Sequence, residues 1–450
     1  MINWMRIVWG VCGLMLAAAV VYLGFYLDRR EVQDVQLYFG GAFLALLGLY
    51  FVTKWANWTV SIWWIFVLGL GIRATLLFST PNLSDDYFRF TWDGYLVNKG
   101  YNPFDLTPEE FVCEHWKDSI TMELYNAHSE AFPDGMNSKG HYSIYPTVNQ
   151  GIYALSFTVG TPNEGNLIAI KIALLIFEII SFYFLLKLLE CHNRSRSLSL
   201  LYWLNPLVIV EIMGNMHFEG IAVSFILIAV FYIESNRVWY SGIALAFAIA
   251  TKLNPLFLAC VNWNLLTGKK LFSWWAITGI TTVLMLMVFL NHDNVWNFKK
   301  SIDLYLNVFR FNAGLLTTCA SIHYFFFGTT SYYLLMAWFP TITLIGILAL
   351  NRLNSKWTTS DRLLLAFTIY FTFATTVHPW YIIFLIPFAV IGNWRYPLIW
   401  SYVVVWSYWS YQKEGAIHFD ELTVVSFLLL ACLMWWDIRR QIKLKAGNYA

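Results

Sequence analysis

Long apolar stretches alternate with short polar or cationic connections along almost the whole chain. About 20 apolar residues are needed for a helix to cross the hydrocarbon core of a bilayer. The pattern predicts spans near 6–27, 36–53, 58–79, 168–190, 198–213, 218–234, 238–252, 253–267, 271–290, 331–350, 362–377, 380–392, 396–410 and 421–436. Two further apolar segments, about 145–160 and 313–328, fit only as re-entrant or interfacial helices. We therefore expect an all-α polytopic membrane protein with about 12–14 transmembrane helices.

Composition supports this class and excludes others. Of 450 residues, 58% are hydrophobic and 12% are charged, against about 25% charged residues in soluble domains. The net charge of +2 gives no electrostatic footprint for nucleic acid, so we expect no nucleic-acid partner. Six scattered cysteines indicate no disulfide framework. The first span continues into a second one, which is typical of a retained helix rather than a cleaved signal peptide.

Lysine and arginine in the connections set the expected topology. Cationic connections, such as 187–196 and the tail 439–445, fall on the cytoplasmic side if the N-terminus is inside. The loop from about residue 80 to residue 141 then lies outside. The expected division is 1–79 for N-terminal transmembrane helices, 80–145 for an extracytoplasmic loop with juxtamembrane helices, 146–436 for the transmembrane bundle, and 437–450 for a basic cytoplasmic tail.

The outer loop begins with a cluster of ionisable residues directly after an apolar segment. Asp85, Asp86, Arg89 and Asp93 follow Ser84, a good helix N-cap. On a helix Asp86, Arg89 and Asp93 share one face, because seven residues return within roughly 20° of the starting direction. Ionisable groups at the membrane are a functional-site hypothesis by default. Phe88, Trp92 and Tyr95 form another, apolar face of the same helix.

Other polar groups lie at the ends of spans that the predicted topology places on the same outer side. They are the segments 144–146, 215–219, 251–255 and 378–381. The topology was assigned only from hydrophobicity and from lysine and arginine, so this agreement is independent of it. We therefore expect one shared cavity that faces outward.

These segments resemble the motifs of a known enzyme family. The sequence DDYFRFTWDG at 85–94, followed by GYNPF at 100–104, resembles the "DD-x-x-RY-x-WDG…G-x-NPY" signature of bacterial GT-C glycosyltransferases. These are integral-membrane mannosyltransferases that use polyprenyl-phosphate sugars. Further matches follow in the family's order at 144–150, 203–207, 215–219, 251–255, 311–312 and 378–381. Thr147, Asn215 and Glu219 depart from the family's proline, glycine and aspartate.

The resemblance implies a GT-C type helical bundle that transfers a hexose, mannose before others, from a polyprenyl-phosphate donor with inversion at the anomeric carbon. It implies a glycan, lipid-glycan or protein acceptor, contact with membrane lipids, and a place in the bacterial cytoplasmic membrane with the site facing outward. The catalytic base would be Asp85 or Asp86. Residues expected to bind substrate or the donor phosphate are Arg89, Asp93, Tyr145, Asn215, His217, Glu219, Lys252, Asn312, His378, Trp380 and Tyr381.

Several roles have alternatives. Asp85, Asp86 and Glu219 offer oxygen ligands for a divalent cation, Mg²⁺ or Mn²⁺, while a mechanism without metal is equally compatible with the sequence. Asp93 can be the ion-pair partner of Arg89 one turn earlier, and Lys252 can extend to the interface to keep its charge in water.

The function has alternatives as well. A transporter or flippase for lipid-linked glycans or polar solutes also uses charged groups within the membrane and helices broken at proline. Polar motifs gathered on one face argue against it, since a carrier needs gates on both sides. A structural membrane scaffold would not need outward aspartate, lysine and histidine side chains to converge.

Overall fold

The computed structural model describes residues 2–55, 60–114, 136–159, 164–263, 266–329, 332–412 and 419–447. Its architecture confirms the all-α polytopic membrane class. The α-helices, in chain order, are Ile2–Phe25, Val32–Trp55, Ile62–Leu76, Asp86–Asn98, Pro108–Glu114, Thr147–Val159, Glu164–Cys191, Leu200–Trp203, Pro206–Ile209, Glu219–Glu234, Val238–Ile249, Gly268–Leu286, Val295–Asn307, Gly314–Phe327, Tyr332–Ala349, Thr359–Phe373, Ile386–Gly392, Tyr396–Val403 and Phe419–Ala446. Short 3₁₀ segments are Arg196–Ser199, Asn254–Cys260, Leu350–Arg352, Pro379–Leu385 and Val404–Tyr411, and Val210–Gly214 is a π turn.

Within the described residues, four helices are long and apolar enough to cross a membrane. They are Trp4–Phe25, Val32–Trp55, Gly165–Cys191 and Asp420–Ala446. A fifth crossing is possible if the pair Arg196–Trp203 and Pro206–Gly214, bent by 56°, counts as one span. Elsewhere the apolar stretches form shorter helices, namely Ile62–Leu76, Val238–Ile249, Gly314–Phe327, Met336–Arg352 and Pro379–Gly392.

Proline explains several of the breaks, because it removes a backbone donor and clashes with the preceding turn. Asn205 caps the helix that starts at Pro206, its side chain accepting from the Leu207 N–H at 3.0 Å. Pro255, which is compatible with a kink or a turn, lies at the start of the 3₁₀ segment Asn254–Cys260. The breaks interrupt the apolar helices where the polar motifs lie.

The two segments expected not to cross the membrane form Thr147–Val159 and Gly314–Phe327, of 13 and 14 residues. At 1.5 Å per residue each is about 20 Å long, shorter than the hydrocarbon core of about 30 Å. In the predicted outer loop the helices are Asp86–Asn98 and Pro108–Glu114, while 115–135 lies outside the described residues. At the other end of the chain, Phe419–Ala446 continues as helix through most of the predicted tail.

Helix Asp86–Asn98 packs through its expected apolar face. Trp92 and Tyr95 are buried in a small cluster with Phe111 and Met136. On another side, Gly94 lies against helix Thr147–Val159, where an added Cβ would be 2.6 Å from the carbonyl oxygen of Tyr153. The two helices therefore approach so closely that a side chain at 94 has no room. This contact fixes the position of the acidic N-terminus of the helix.

A buried ion pair joins three helices of the bundle. The Arg73 guanidinium donates to Glu178 at 2.8 Å and to the carbonyl oxygen of Trp203 at 2.8 Å. The hydroxyl of Tyr202 donates to the second oxygen of Glu178 at 2.8 Å. Both charged side chains are fully buried, so each depends on the other for compensation of its charge.

We expect Glu178→Gln to lower the free energy of unfolding by about 3 kcal/mol, because it leaves the Arg73 charge buried without its counter-ion. The double variant Arg73→Met/Glu178→Gln should lose less of the free energy of unfolding than Glu178→Gln alone, because no unpaired charge stays buried. Thermal unfolding in detergent measures both effects. Glu190→Gln is the matched control, since Glu190 lies on the same helix in an exposed pair with Lys187. Equal melting temperatures for Glu178→Gln and this control would contradict the assignment.

Candidate active site

Asp85 and Asp86 lie at the start of helix Asp86–Asn98 but have different partners. Asp85, rather than Ser84, is the N-cap residue, and the Ser84 hydroxyl accepts from the Asp86 N–H at 3.3 Å. The Asp85 carboxylate pairs with Arg29 from the connection between the first two long helices. Asp86 instead accepts a hydrogen bond from the Tyr145 side chain. The two neighbouring acids are therefore directed into different parts of the site.

Asp86 is half-buried in a mixed electrostatic environment. Burial raises the pKa of Asp86 to about 6, and the nearby Glu219 carboxylate contributes to the rise. The Lys252 ammonium and the Tyr145 hydrogen bond act in the opposite direction. A carboxylate with such a pKa exchanges its proton close to neutral pH, as a general base must.

Lys252 and Glu219 form an ion pair beside Asp86. Lys252 Nζ lies 2.9 Å from Glu219 Oε1, and the Glu219 side chain is fully buried. Neither oxygen of Glu219 has a hydrogen bond of good geometry within the described structure. Lys252 Nζ also lies 5.5 Å from the ring centre of Tyr145. Lys252 is thus held by a buried carboxylate in the site, and a purely interfacial role does not describe it.

A stack of rings forms the aromatic wall of the site, which consists of His217, Trp380, His378 and Phe311. The His217 and Trp380 ring centres are 3.7 Å apart, those of Trp380 and His378 are 4.3 Å apart, and those of His378 and Phe311 are 4.7 Å apart. The ring of Tyr381 contacts His378 edge-on at 5.4 Å. Among the residues that the structure describes, both nitrogens of His217 and Nδ1 of His378 are buried and have no hydrogen-bond partner. These atoms are available to a polar ligand.

Backbone pairing holds the aromatic wall in position. The Phe311 N–H donates to the Thr375 carbonyl at 3.1 Å, and the Val377 N–H donates to the Phe311 carbonyl at 2.8 Å. Asn312 adopts φ of +50°, a left-handed conformation that asparagine tolerates better than most residues. Its side-chain amide donates to the Val377 carbonyl at 3.2 Å. In this structure Asn312 therefore orders the backbone that leads to His378.

The π turn Val210–Gly214 directs Glu211 toward the same site. Glu211 is fully buried and accepts from the Asn215 side chain at 2.9 Å and from the Tyr408 hydroxyl at 2.7 Å. His217 Nε2 is 3.5 Å from Glu211 Oε2, the oxygen that also accepts from Asn215. Asn215 also accepts from the Leu83 N–H at 3.3 Å. Asn215 thus connects the start of the outer loop to the floor of the site.

Arg89 and Asp93 form a structural pair. Arg89 Nε donates to Asp93 at 2.7 Å, and the guanidinium also donates to the carbonyl oxygen of His141 at 2.7 Å. Gln150 donates to the second oxygen of Asp93 at 2.9 Å, and the Ser143 hydroxyl donates to the same oxygen. Both side chains are buried. Their contacts favour the ion-pair alternative over direct substrate binding, and they anchor the end of the outer loop.

Arg29, Tyr408 and Tyr411 belong to the site, although the sequence motifs do not include them. Arg29 lies over the ring of Tyr411 at 4.8 Å while it pairs with Asp85. One sequence signal could have revealed Arg29. The predicted topology places the first connection outside, where arginine runs against the usual bias of positive charge toward the cytoplasm. No comparable signal distinguishes Tyr408 or Tyr411 among the chain's 26 tyrosines.

The described residues contain no group of three or more histidine, cysteine, aspartate or glutamate side chains that could hold a metal ion. Of the three oxygen donors considered from the sequence, Asp85 pairs with Arg29 and Glu219 pairs with Lys252, while Asp86 accepts a hydrogen bond from Tyr145. In this arrangement they do not converge as one set of ligands.

The bundle of apolar helices defines an all-α membrane protein, and its class as a glycosyltransferase is shown by a comparison with known families. The family described as alpha-(1->6)-mannopyranosyltransferase, N-terminal domain, matches residues 17–267, and the chain belongs to this family. No curated protein matches the chain significantly. The match confirms the resemblance to mannosyltransferases and supports mannosyl transfer between a sugar donor and a glycan acceptor. It includes Asp85, Asp86, Glu219 and Lys252.

Because Asp93 holds Arg89 and the end of the outer loop, Asp93→Asn should lower the free energy of unfolding by about 3 kcal/mol. Thermal unfolding in detergent measures the loss. His141→Ala is the control, because Arg89 contacts only the backbone carbonyl at that position and the side chain is exposed. A fully stable Asp93→Asn protein that fails to bind donor would instead favour a substrate-binding role for Asp93.

Proposed function

We propose that the chain transfers a mannosyl group from polyprenyl-phosphate-mannose to a hydroxyl group of a glycan acceptor, with Asp86 as the general base. The observation that supports this most is the position of Asp86. Its half-buried carboxylate lies at the start of the outer-loop helix, accepts a hydrogen bond from Tyr145, and feels the charges of the Lys252–Glu219 pair. A lipid-linked donor brings its phosphate to the membrane edge, where the apolar bundle meets this helix.

The chemistry requires little beyond a base and a positive charge. The acceptor oxygen attacks the anomeric carbon, its proton moves to Asp86, and the bond between that carbon and the phosphate oxygen breaks. The bonding electrons leave with the polyprenyl phosphate, a good leaving group that needs no strong acid. Attack from the face opposite the phosphate inverts the anomeric centre. Cations stabilise the negative charge that develops on the leaving phosphate.

The choice between the two acids rests on their partners. The Asp85 carboxylate is already engaged by Arg29 in an ion pair. Asp86 has its pKa raised to about 6 by burial, so that at neutral pH it is ionised and still basic enough to accept a proton. This contrast favours Asp86.

The lipid donor and the outward orientation rest on placement in the chain. The predicted topology puts the outer-loop helix, the 215–219 segment and the 378–381 segment on the side opposite the cytoplasmic tail. This arrangement suits a donor in the outer leaflet of the bacterial cytoplasmic membrane. It is also compatible with the proposed division of the chain into four parts, with boundaries at residues 79, 145 and 436. A transporter is less suited, because the family's activity is group transfer.

Proteoliposomes with labelled polyprenyl-phosphate-mannose and a lipid-glycan extract test the proposal. Asp86→Asn should lower the transfer rate by about 10² to 10⁴, the usual contribution of a general base, while donor binding persists. Asp293→Asn serves as a control, since Asp293 is almost fully exposed. Equal loss in both variants would exclude Asp86 as the base. Movement of intact donor across the bilayer without mannosyl transfer would support a transporter instead.

The pH dependence of kcat/KM should report the protonation of Asp86. For the wild type we expect activity to fall below a pH of about 6, because the protonated carboxyl cannot accept a proton. Glu219→Gln should move this acid limb to lower pH, since the Glu219 charge raises the pKa of Asp86. Lys252→Met should move it to higher pH, since the ammonium lowers that pKa. Shifts in the same direction for both variants would contradict the assignment.

A further inference from the structure

Two cations flank the pair of acids that begins the outer-loop helix, and each is held by a carboxylate. Lys252 pairs with Glu219, and Arg29 pairs with Asp85. A phosphate that enters the site meets cations that already hold a carboxylate, and it competes with that carboxylate for them. The two pairs differ in what their separation would leave behind.

The Lys252–Glu219 pair is poorly suited to exchange. Glu219 is fully buried, and neither of its oxygens has a hydrogen bond of good geometry within the described residues. Removal of Lys252 would leave a buried charge without compensation, which is strongly unfavourable. Lys252 therefore stays with Glu219 when a ligand binds.

The Arg29–Asp85 pair is suited to exchange. The Asp85 side chain is 29% exposed, so that water can hydrate the carboxylate after Arg29 leaves. Asp85 is also the N-cap residue of helix Asp86–Asn98, and the positive end of the helix dipole favours a negative charge there. Separation of this pair therefore costs far less than separation of the buried one.

Arg29 has the geometry to hold a phosphate. Its guanidinium carbon lies over the ring of Tyr411, 4.8 Å from the ring centre. This contact uses the face of the guanidinium and leaves the N–H groups along its edge for hydrogen bonds. That planar edge matches two phosphate oxygens at once. The side chain is 18% exposed and comes from the connection between Ile2–Phe25 and Val32–Trp55, two helices of membrane-spanning length. A connection between two spanning helices is expected at the membrane edge, which is the depth of a lipid phosphate.

We propose that Arg29 is the phosphate-binding cation of the site, and that the Asp85 carboxylate occupies the phosphate position until the lipid-linked ligand replaces it. The ligand class is a polyprenyl phosphate, as the sugar-linked donor and as the product after transfer. This inference rests on the proposed function for the identity of the lipid. Asp85 is then a positioning residue that competes with the ligand for Arg29.

The competition gives opposite effects for the two members of the ion pair. With protein in nanodiscs of neutral lipid and polyprenyl phosphate as the probe, Arg29→Gln should weaken binding by about tenfold or more, because a charge-assisted bidentate contact is lost. Asp85→Asn should tighten binding severalfold, because the competing carboxylate is gone. In the double variant the tightening should disappear. Arg30→Gln, a change at the exposed neighbouring position, should leave the affinity unchanged.

A purely structural ion pair predicts a different result. If Arg29 only anchors the outer-loop helix, Arg29→Gln and Asp85→Asn break the same contact and should weaken binding alike, which would overturn the proposal. Arg29→Lys keeps the ion pair but lacks the bidentate edge. It should therefore weaken polyprenyl phosphate binding while the melting temperature stays at the wild-type value. This variant keeps the test valid if Arg29→Gln folds poorly.

Two further outcomes separate the possible sources of phosphate and the two proposals. Equal, Arg29-dependent competition by phosphatidylglycerol would indicate a general site for anionic lipid and overturn the assignment to polyprenyl phosphate. If wild-type protein binds polyprenyl phosphate and none of the Arg29 variants alters the affinity, only the Arg29 inference fails. If the wild type does not bind polyprenyl phosphate, the proposed donor itself is wrong.

Discussion

The Lys252–Glu219 ion pair is the contact on which the rest of the site depends. A single buried charge in an apolar bundle is strongly unfavourable, so each of these side chains requires the other. Lys252 follows helix Val238–Ile249 and Glu219 begins helix Glu219–Glu234, so the pair also fixes two helix ends at the same place. Asp86 lies beside the pair and receives opposing influences from its two members.

Other buried charges in the bundle are also compensated by ion pairs, but these pairs lie outside the candidate active site. Arg73 and Glu178 are fully buried, and Tyr202 occupies the second oxygen of the carboxylate. Both oxygens of Asp93 likewise accept hydrogen bonds, from Arg89 and Gln150, and Arg89 also donates to the His141 carbonyl oxygen. In the candidate active site, the Glu219 carboxylate and the His217 and His378 imidazoles keep atoms that have no hydrogen bond within the described residues. Unused polar atoms in a buried site are what a polar substrate can satisfy.

Interruptions of the helices put these atoms where they are. The break at Pro206 and the π turn Val210–Gly214 direct Glu211 and Asn215 toward the outer-loop helix. The 3₁₀ segment Pro379–Leu385 starts directly after His378 and lets the ring of Trp380 lie between two imidazoles. In continuous helices the same side chains would lie farther apart along the helix axes. Broken apolar helices thus serve to gather polar side chains on one side of the bundle.

Hydrophobicity was sufficient to predict the all-α membrane class, and the motif order was sufficient to predict the family. The motifs also pointed to a set of polar residues that the structure brings into one cluster, namely Asp86, Glu219, Lys252, His217 and His378. The number of long helices was harder to predict, because an apolar run contains the same residues whether it forms one helix or two short ones. Arg29 was missed because its role depends on a contact with Asp85 that is 56 residues away in sequence.

The most direct test of the account is a structure of the protein bound to a phosphonate analogue of polyprenyl-phosphate-mannose that cannot react. An inverting transfer with Asp86 as base requires the Asp86 carboxylate and the analogue's phosphonate to lie on opposite faces of the anomeric carbon. The account predicts this geometry, with a gap for the acceptor hydroxyl about 3 Å from Asp86. An analogue whose free face is directed at Asp85, or whose phosphonate lies against Asp86, would contradict it.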